Sequence, residues 1–124
     1  MTDSDEDRSV LAEMFRHNLW ANLALTDVCV ALPENVLDTT IPGTYGGIRA
    51  TLAHLAGAEG RYLAALTGDP ERRNPTFEQT NPDLATVREH LRQSSAGLVA
   101  YAERVEGDPI LTVTWHGETH QMPV

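Results

Sequence analysis

The chain has 124 residues, with nine basic side chains against eighteen acidic ones and a formal charge of −9. That length supports one domain with a single core, and so negative a surface repels phosphate backbones, which argues against DNA or RNA as the main partner. The lone Cys29 excludes an internal disulfide and every zinc site that needs several cysteines, and it suits a reducing cytoplasm; no apolar run approaches the length of a membrane span.

Residues 1–8 carry Asp3, Asp5, Glu6 and Asp7 and read as a solvated acidic tail. From about residue 9 to 32 the pattern is helical, with Leu11, Met14, Phe15, Leu25, Val28, Cys29 and Leu32 along one broad stripe. Asn18 and Asn22 lie inside that stripe, either as satisfied polar groups between helices or as the lining of a pocket. Cys29 shares the stripe and reads as a small buried hydrophobe.

Pro33 stops the first helix, and residues 33–46 read as a linker. A second helix is predicted over 47–67, terminated by Gly68, with Ile48, Leu52, Leu55, Tyr62, Leu63 and Leu66 as its core stripe. Its other surface is rich in alanine, which permits close helix packing or leaves room for a pocket. His54 sits on that side near Ala50, Ala58 and Arg61, and a polar ring among alanines has either free space or a bonding partner.

Residues 69–81 read as a polar loop, with Asn81 as N-cap and Pro82 at the first position of a third helix over 82–106. Leu84, Val87, Leu91, Leu98, Tyr101 and Val105 form its buried face. His17 and His90 flank the apolar stripes of their helices and read as surface or boundary residues. Glu13, Glu59 and Glu89 read as surface salt-bridging positions.

Past Pro109 the period changes from 3.6 to 2, which predicts a hairpin over about 110–123. With Gly117-Glu118 as the turn, one face is Thr112, Thr114, His116, Thr119 and Gln121; the other is Leu111, Val113, Trp115, His120, Met122 and Val124. His116 and His120 then lie on opposite faces of a ribbon, and their four-residue spacing is not that of two metal ligands on one helix. His120 is expected as a partly buried ring beside Trp115, and His116 as an exposed one.

The runs FRHNLWANLAL, IPGTYGGIRATLAHLAGAEGRYLAALTG and LTVTWHGETHQMPV, in that order, resemble the DinB/YfiT-like superfamily. The resemblance implies an all-α fold, a DinB-like four-helix up-down-down-up bundle, with three of its helices and a short hairpin present in a single domain over residues 1–124. It implies that His54 is a metal ligand for zinc or nickel, joined in the family by two histidines of a helix that follows the ribbon. The chain ends at Met122-Pro123-Val124, where that helix is expected to begin, so the domain is expected to be incomplete and two ligands to lie outside it. Trp20, Asn22, Ala58 and Arg61 are the expected pocket residues. Relatives imply a metal-dependent thiol S-transferase or a hydrolase-like enzyme, with a small-molecule thiol (bacillithiol or mycothiol) or an electrophile as partner; one branch isomerises maleylpyruvate. A divalent cation makes a thiol a thiolate near neutral pH, so no catalytic cysteine is required. The alternative is a non-catalytic helical association module, since a groove left by a missing helix favours a homodimer. Gly47 departs from relatives that often place a helix-capping serine there.

Overall fold

A computed structural model describes residues 3–72, 77–107 and 109–124, with side chains from Val10 onward except that of Trp115. The expectations for Met1 and Thr2, for residues 73–76 of the polar loop and for the Trp115 ring lie outside the described residues. The chain is mainly helical: α1 (Asp3–Val30), α2 (Glu34–Leu37), α3 (Ile48–Thr67) and α4 (Leu84–Arg104), then β1 (Ile110–Trp115) and β2 (Glu118–Pro123). No helix among the described residues is long and apolar enough to cross a membrane.

Three boundaries differ from the sequence reading. The first helix begins at Asp3 rather than residue 9, so residues 3–8 belong to the helix and not to a tail. Within the expected linker, residues 34–37 form the short α2. At the start of α4 the cap is Asp83 rather than Asn81: Asp83 Oδ1 accepts the Thr86 backbone N–H at 2.8 Å, while Asn81 takes a left-handed conformation at φ 48°.

α4 packs against both α1 and α3. Its buried face follows the predicted stripe through Leu84, Val87, Leu91, Leu98 and Tyr101, with Ser94 and Ser95 buried among them. On α3 the buried residues are Arg49, Leu52, Ala53, Ala56, Glu59 and Leu63; Tyr62, expected in the core, is 64% exposed. α1 is rotated from its predicted face. Ala12, Asn22, Thr26 and Cys29 are buried, whereas Val10, Met14, Leu25 and Val28 are more than half exposed. Small side chains on the inner face let α1 lie close to α4; Leu11, Phe15, Leu19 and Leu23 are half-buried beside them, and Met14, Leu25 and Val28 are left outside.

Gly68 closes α3 in the left-handed conformation (φ 72°), its N–H bonded to Ala64 O. Gly47 caps the other end without any side-chain bond. A Cβ there would meet the Leu37 carbonyl oxygen at 2.7 Å, so the end of α2 seals this position against serine. Arg49, on the first turn of α3, donates to Asp38 Oδ1 at 3.1 Å and pairs with Glu34, which ties α2 to the helix.

The hairpin turn is His116-Gly117 rather than Gly117-Glu118. Both residues have positive φ (50° and 80°), the twist that a two-residue hairpin favours. Trp115 pairs with Glu118, Thr114 with Thr119 and Val113 with His120. Moving the turn by one residue slides β2 by two, so each strand residue keeps its face. Glu118 joins the Val113 side and His116 leaves the ladder. His120, expected as partly buried, has a side chain 51% exposed, 3.7 Å from Glu118.

Candidate functional site

His54, Gly57 and Arg61 follow one another along one side of α3. Phe77 is buried in the core and fixes the 3-10 turn Glu78–Thr80 against that side. Gly57 has no Cβ where the Glu78 carboxylate lies, and any side chain there would collide with it. Glu78 therefore spans the helix: Oε2 is 3.0 Å from His54 Nδ1, and Oε1 accepts from Arg61 Nη1 at 3.0 Å. The Tyr45 ring stacks on the His54 ring, with centroids 4.5 Å apart and planes 24° from parallel.

Burial pushes the Glu78 carboxyl up, but the bonds from His54 and Arg61 outweigh it and hold the group below the usual carboxylate range. An ionised Glu78 only accepts, so the proton of a neutral His54 sits on Nδ1 and Nε2 keeps its lone pair. A histidine oriented by a carboxylate through one nitrogen, with the other left basic, is the usual form of a metal ligand or a general base. The His54 side chain is 45% exposed, so solutes reach it.

A second polar group lies in the core, on another face of α3. Glu59, 6% exposed, accepts Asn22 Nδ2 at 2.7 Å and Asn18 Nδ2 at 3.4 Å on Oε2, and Ser95 Oγ at 2.7 Å and Ser94 Oγ at 3.2 Å on Oε1. Asn22 also donates to Ser95 Oγ at 3.1 Å. Every partner is a neutral donor, a set that matches a carboxylate's acceptors. The reading of Glu59 as a surface salt-bridging residue is thus corrected: it joins α1, α3 and α4 from inside.

Of the residues expected at one site, the structure brings His54 and Arg61 together through Glu78. Asn22 is buried, but its partners are Glu59, Ser95 and Asn18. Ala58 is half-buried on α3. Trp20 is 65% exposed, and its ring lies 5.5 Å from that of His17 on the outer side of α1. Among the described residues no group of three histidine, cysteine or acidic side chains is placed to hold a metal ion. Sequence reasoning missed Tyr45 and Glu78, which come from loops without periodicity. The available signal was Gly57, a helix-weakening residue in mid-helix between His54 and Arg61.

Comparison with curated proteins and with solved structures gave no significant match. The sequence profile of the DinB family, in contrast, matches residues 1–124. This chain belongs to the DinB family.

Proposed function

We propose that this DinB-family chain is a metal-dependent thiol S-transferase or hydrolase-like protein in which His54 is one ligand of a divalent zinc or nickel ion. The observation that supports this reading is the His54–Glu78–Arg61 group: the imidazole is held through Nδ1, stacked on Tyr45 and half open to solution. One imidazole does not hold a catalytic ion, and among the described residues no group of three potential ligands includes it. The remaining donors would come from groups outside the described residues. In the same reading α1, α3 and α4 are three helices of an up-down-down-up four-helix bundle in a cytoplasmic protein, and a bound metal would favour the thiolate of a small thiol substrate.

Zinc titration against a chromogenic chelator tests the assignment. His54→Ala is expected to abolish stoichiometric binding and Glu78→Gln to weaken it about tenfold or more, through loss of the orienting carboxylate. Zinc affinity unchanged in His54→Ala would remove His54 from the site.

A second reading, a helical association module, is favoured by the outer face of α1, where Val10, Met14, Leu25 and Val28 stand exposed. A homodimer through that face is expected to become monomeric in Met14→Glu/Val28→Glu, as read by sedimentation equilibrium. A monomeric unsubstituted chain would dismiss it.

A further inference from the structure

Residues 38–47 join α2 to α3, and the two ends of this segment are clamped together. A Cβ on Gly47 would meet the Leu37 carbonyl oxygen at 2.7 Å, and Asp38 Oδ1 accepts from Arg49 Nε at 3.1 Å. Between these points the chain forms a surface loop with close ends, a form that is frequently functional. Inside it, Ile41-Pro42-Gly43-Thr44 has the pattern of a type II turn. Pro42 fixes the first central φ, Gly43 supplies the positive one at 88°, and the Thr44 N–H donates to Ile41 O at 3.2 Å. The Thr44 hydroxyl donates to the same oxygen at 2.6 Å.

The side chain that this turn delivers is Tyr45. It is 64% exposed, so burial of apolar area does not account for an aromatic ring at this position. What the ring meets is His54, with centroids 4.5 Å apart and planes 24° from parallel. Glu78 reaches the same imidazole from the segment that follows α3, 3.0 Å from Nδ1. The two supports restrain different motions. A hydrogen bond at Nδ1 fixes the direction of one ring atom but lets the ring rock about that line, whereas a stacked neighbour fixes the plane. Together they leave Nε2 a single direction.

We propose that Tyr45 is a positioning residue for His54: the clamped loop holds its ring against the imidazole, which sets the imidazole plane and with it the direction of Nε2. The ring does this, and the phenol hydroxyl is not required. The assignment rests on the reading of His54 as a metal ligand, since a ligand is effective when packing and hydrogen bonds lock its orientation before the ion arrives.

The test compares Tyr45→Leu, Tyr45→Phe and Gly43→Ala in the 124-residue chain, by nitrogen–proton NMR of the His54 imidazole in metal-free buffer and by zinc titration. Melting curves identify any variant that has failed to fold. A Cβ on Gly43 meets nothing within 4 Å, so Gly43→Ala leaves Tyr45 in place and acts only through a φ that alanine disfavours. Tyr45→Leu is expected to lower the ratio of Nδ1–H to Nε2–H tautomer, and the zinc affinity, each by about three- to tenfold, the worth of one aromatic pair. Gly43→Ala should move both the same way by less, and Tyr45→Phe should leave both unchanged. An unchanged tautomer ratio in folded Tyr45→Leu overturns the inference whether or not zinc binds, and so does a loss in Tyr45→Phe equal to that in Tyr45→Leu. A chain that shows the tautomer changes but binds no zinc would end the metal reading and keep Tyr45 as the support of the imidazole.

Discussion

Glu78 reaches His54 across Gly57, and the carboxylate occupies the space that a Cβ on that glycine would fill. Gly57→Ala therefore separates two effects that a substitution of His54 or Glu78 combines. Alanine improves helix propensity by about 1 kcal/mol. The displaced carboxylate forfeits partly exposed bonds of similar size. Net stability is expected to change by less than about 1 kcal/mol, while His54 loses its Nδ1 partner. Long-range nitrogen–proton NMR of the imidazole should show a shift from the Nδ1–H tautomer toward the Nε2–H form. An unaltered tautomer in a folded Gly57→Ala chain would show that Glu78 does not orient the ring.

Glu59 holds three helices together with neutral donors, and its two oxygens have different partners. Glu59→Gln replaces one acceptor with an NH₂ that must face donors. It is expected to destabilise the chain by about 1–3 kcal/mol, the loss associated with a buried unsatisfied group. Ser95→Ala removes one donor and should cost about 1 kcal/mol. Urea denaturation reads both, and a Glu59→Gln chain as stable as the original would refute a structural role for the network.

The face of α4 was legible because it is conventional: Leu84, Val87, Leu91, Leu98 and Tyr101 recur at helical spacing and are buried. α1 was read only in part, for a physical reason. Its inner side chains are small or polar, Ala12, Asn22, Thr26 and Cys29, while the larger apolar residues Met14, Leu25 and Val28 face solvent. Cys29 is buried as expected and Asn22, also on the predicted stripe, is buried with it; the stripe was drawn too far toward Met14, Leu25 and Val28 because the inner positions beside it hold small or polar side chains. The hairpin turn was misplaced by one residue, yet the strand faces survived, because such an error changes the pairing by two. His54 and Arg61 were visible as polar groups on an alanine-rich helix. Glu78 was not, since it arrives from a polar loop, 24 positions beyond His54.

Burial lowers the His90 pKa below its ordinary value of 6.5, against a smaller upward pull from Glu89. A base whose folded pKa is depressed binds fewer protons in the native state, so stability is full above about 6.5 and declines as pH falls toward the folded pKa. The melting temperature should accordingly drop as pH falls below about 6.5, and His90→Gln should flatten that slope. An identical slope in the variant would assign it to other groups.

A separate loss is expected in acid. Glu89 is held at about 2, first by its bond from Arg92 and then by Gln93, and Asp83 is lowered by the Thr86 N–H. With Glu78 also lowered, these carboxylates contribute stability above about pH 4.5 that is lost as pH falls through their folded values. Glu78→Gln, measured by acid titration of the helical circular dichroism signal, should shift that unfolding midpoint less than it shifts zinc affinity. The reverse order would make Glu78 a structural residue first.

Arg49 is the buried tie between α3 and α2, its side chain 8% exposed while those of Glu34 and Asp38 are 81% and 63% exposed. The two carboxylates remain solvated if the arginine is lost, so what disappears is the tie and the packing of its alkyl stem rather than the neutralisation of buried charge. Arg49→Met keeps most of that packing and isolates the ionic part. It should lower global stability by about 1 kcal/mol and raise amide hydrogen exchange across residues 34–38 severalfold, with α4 unaffected. Arg49→Lys should behave more like methionine than like arginine, because a single ammonium does not reproduce a planar group that engages two carboxylates through different nitrogens. Full protection retained in Arg49→Lys would show that charge alone holds α2 to α3.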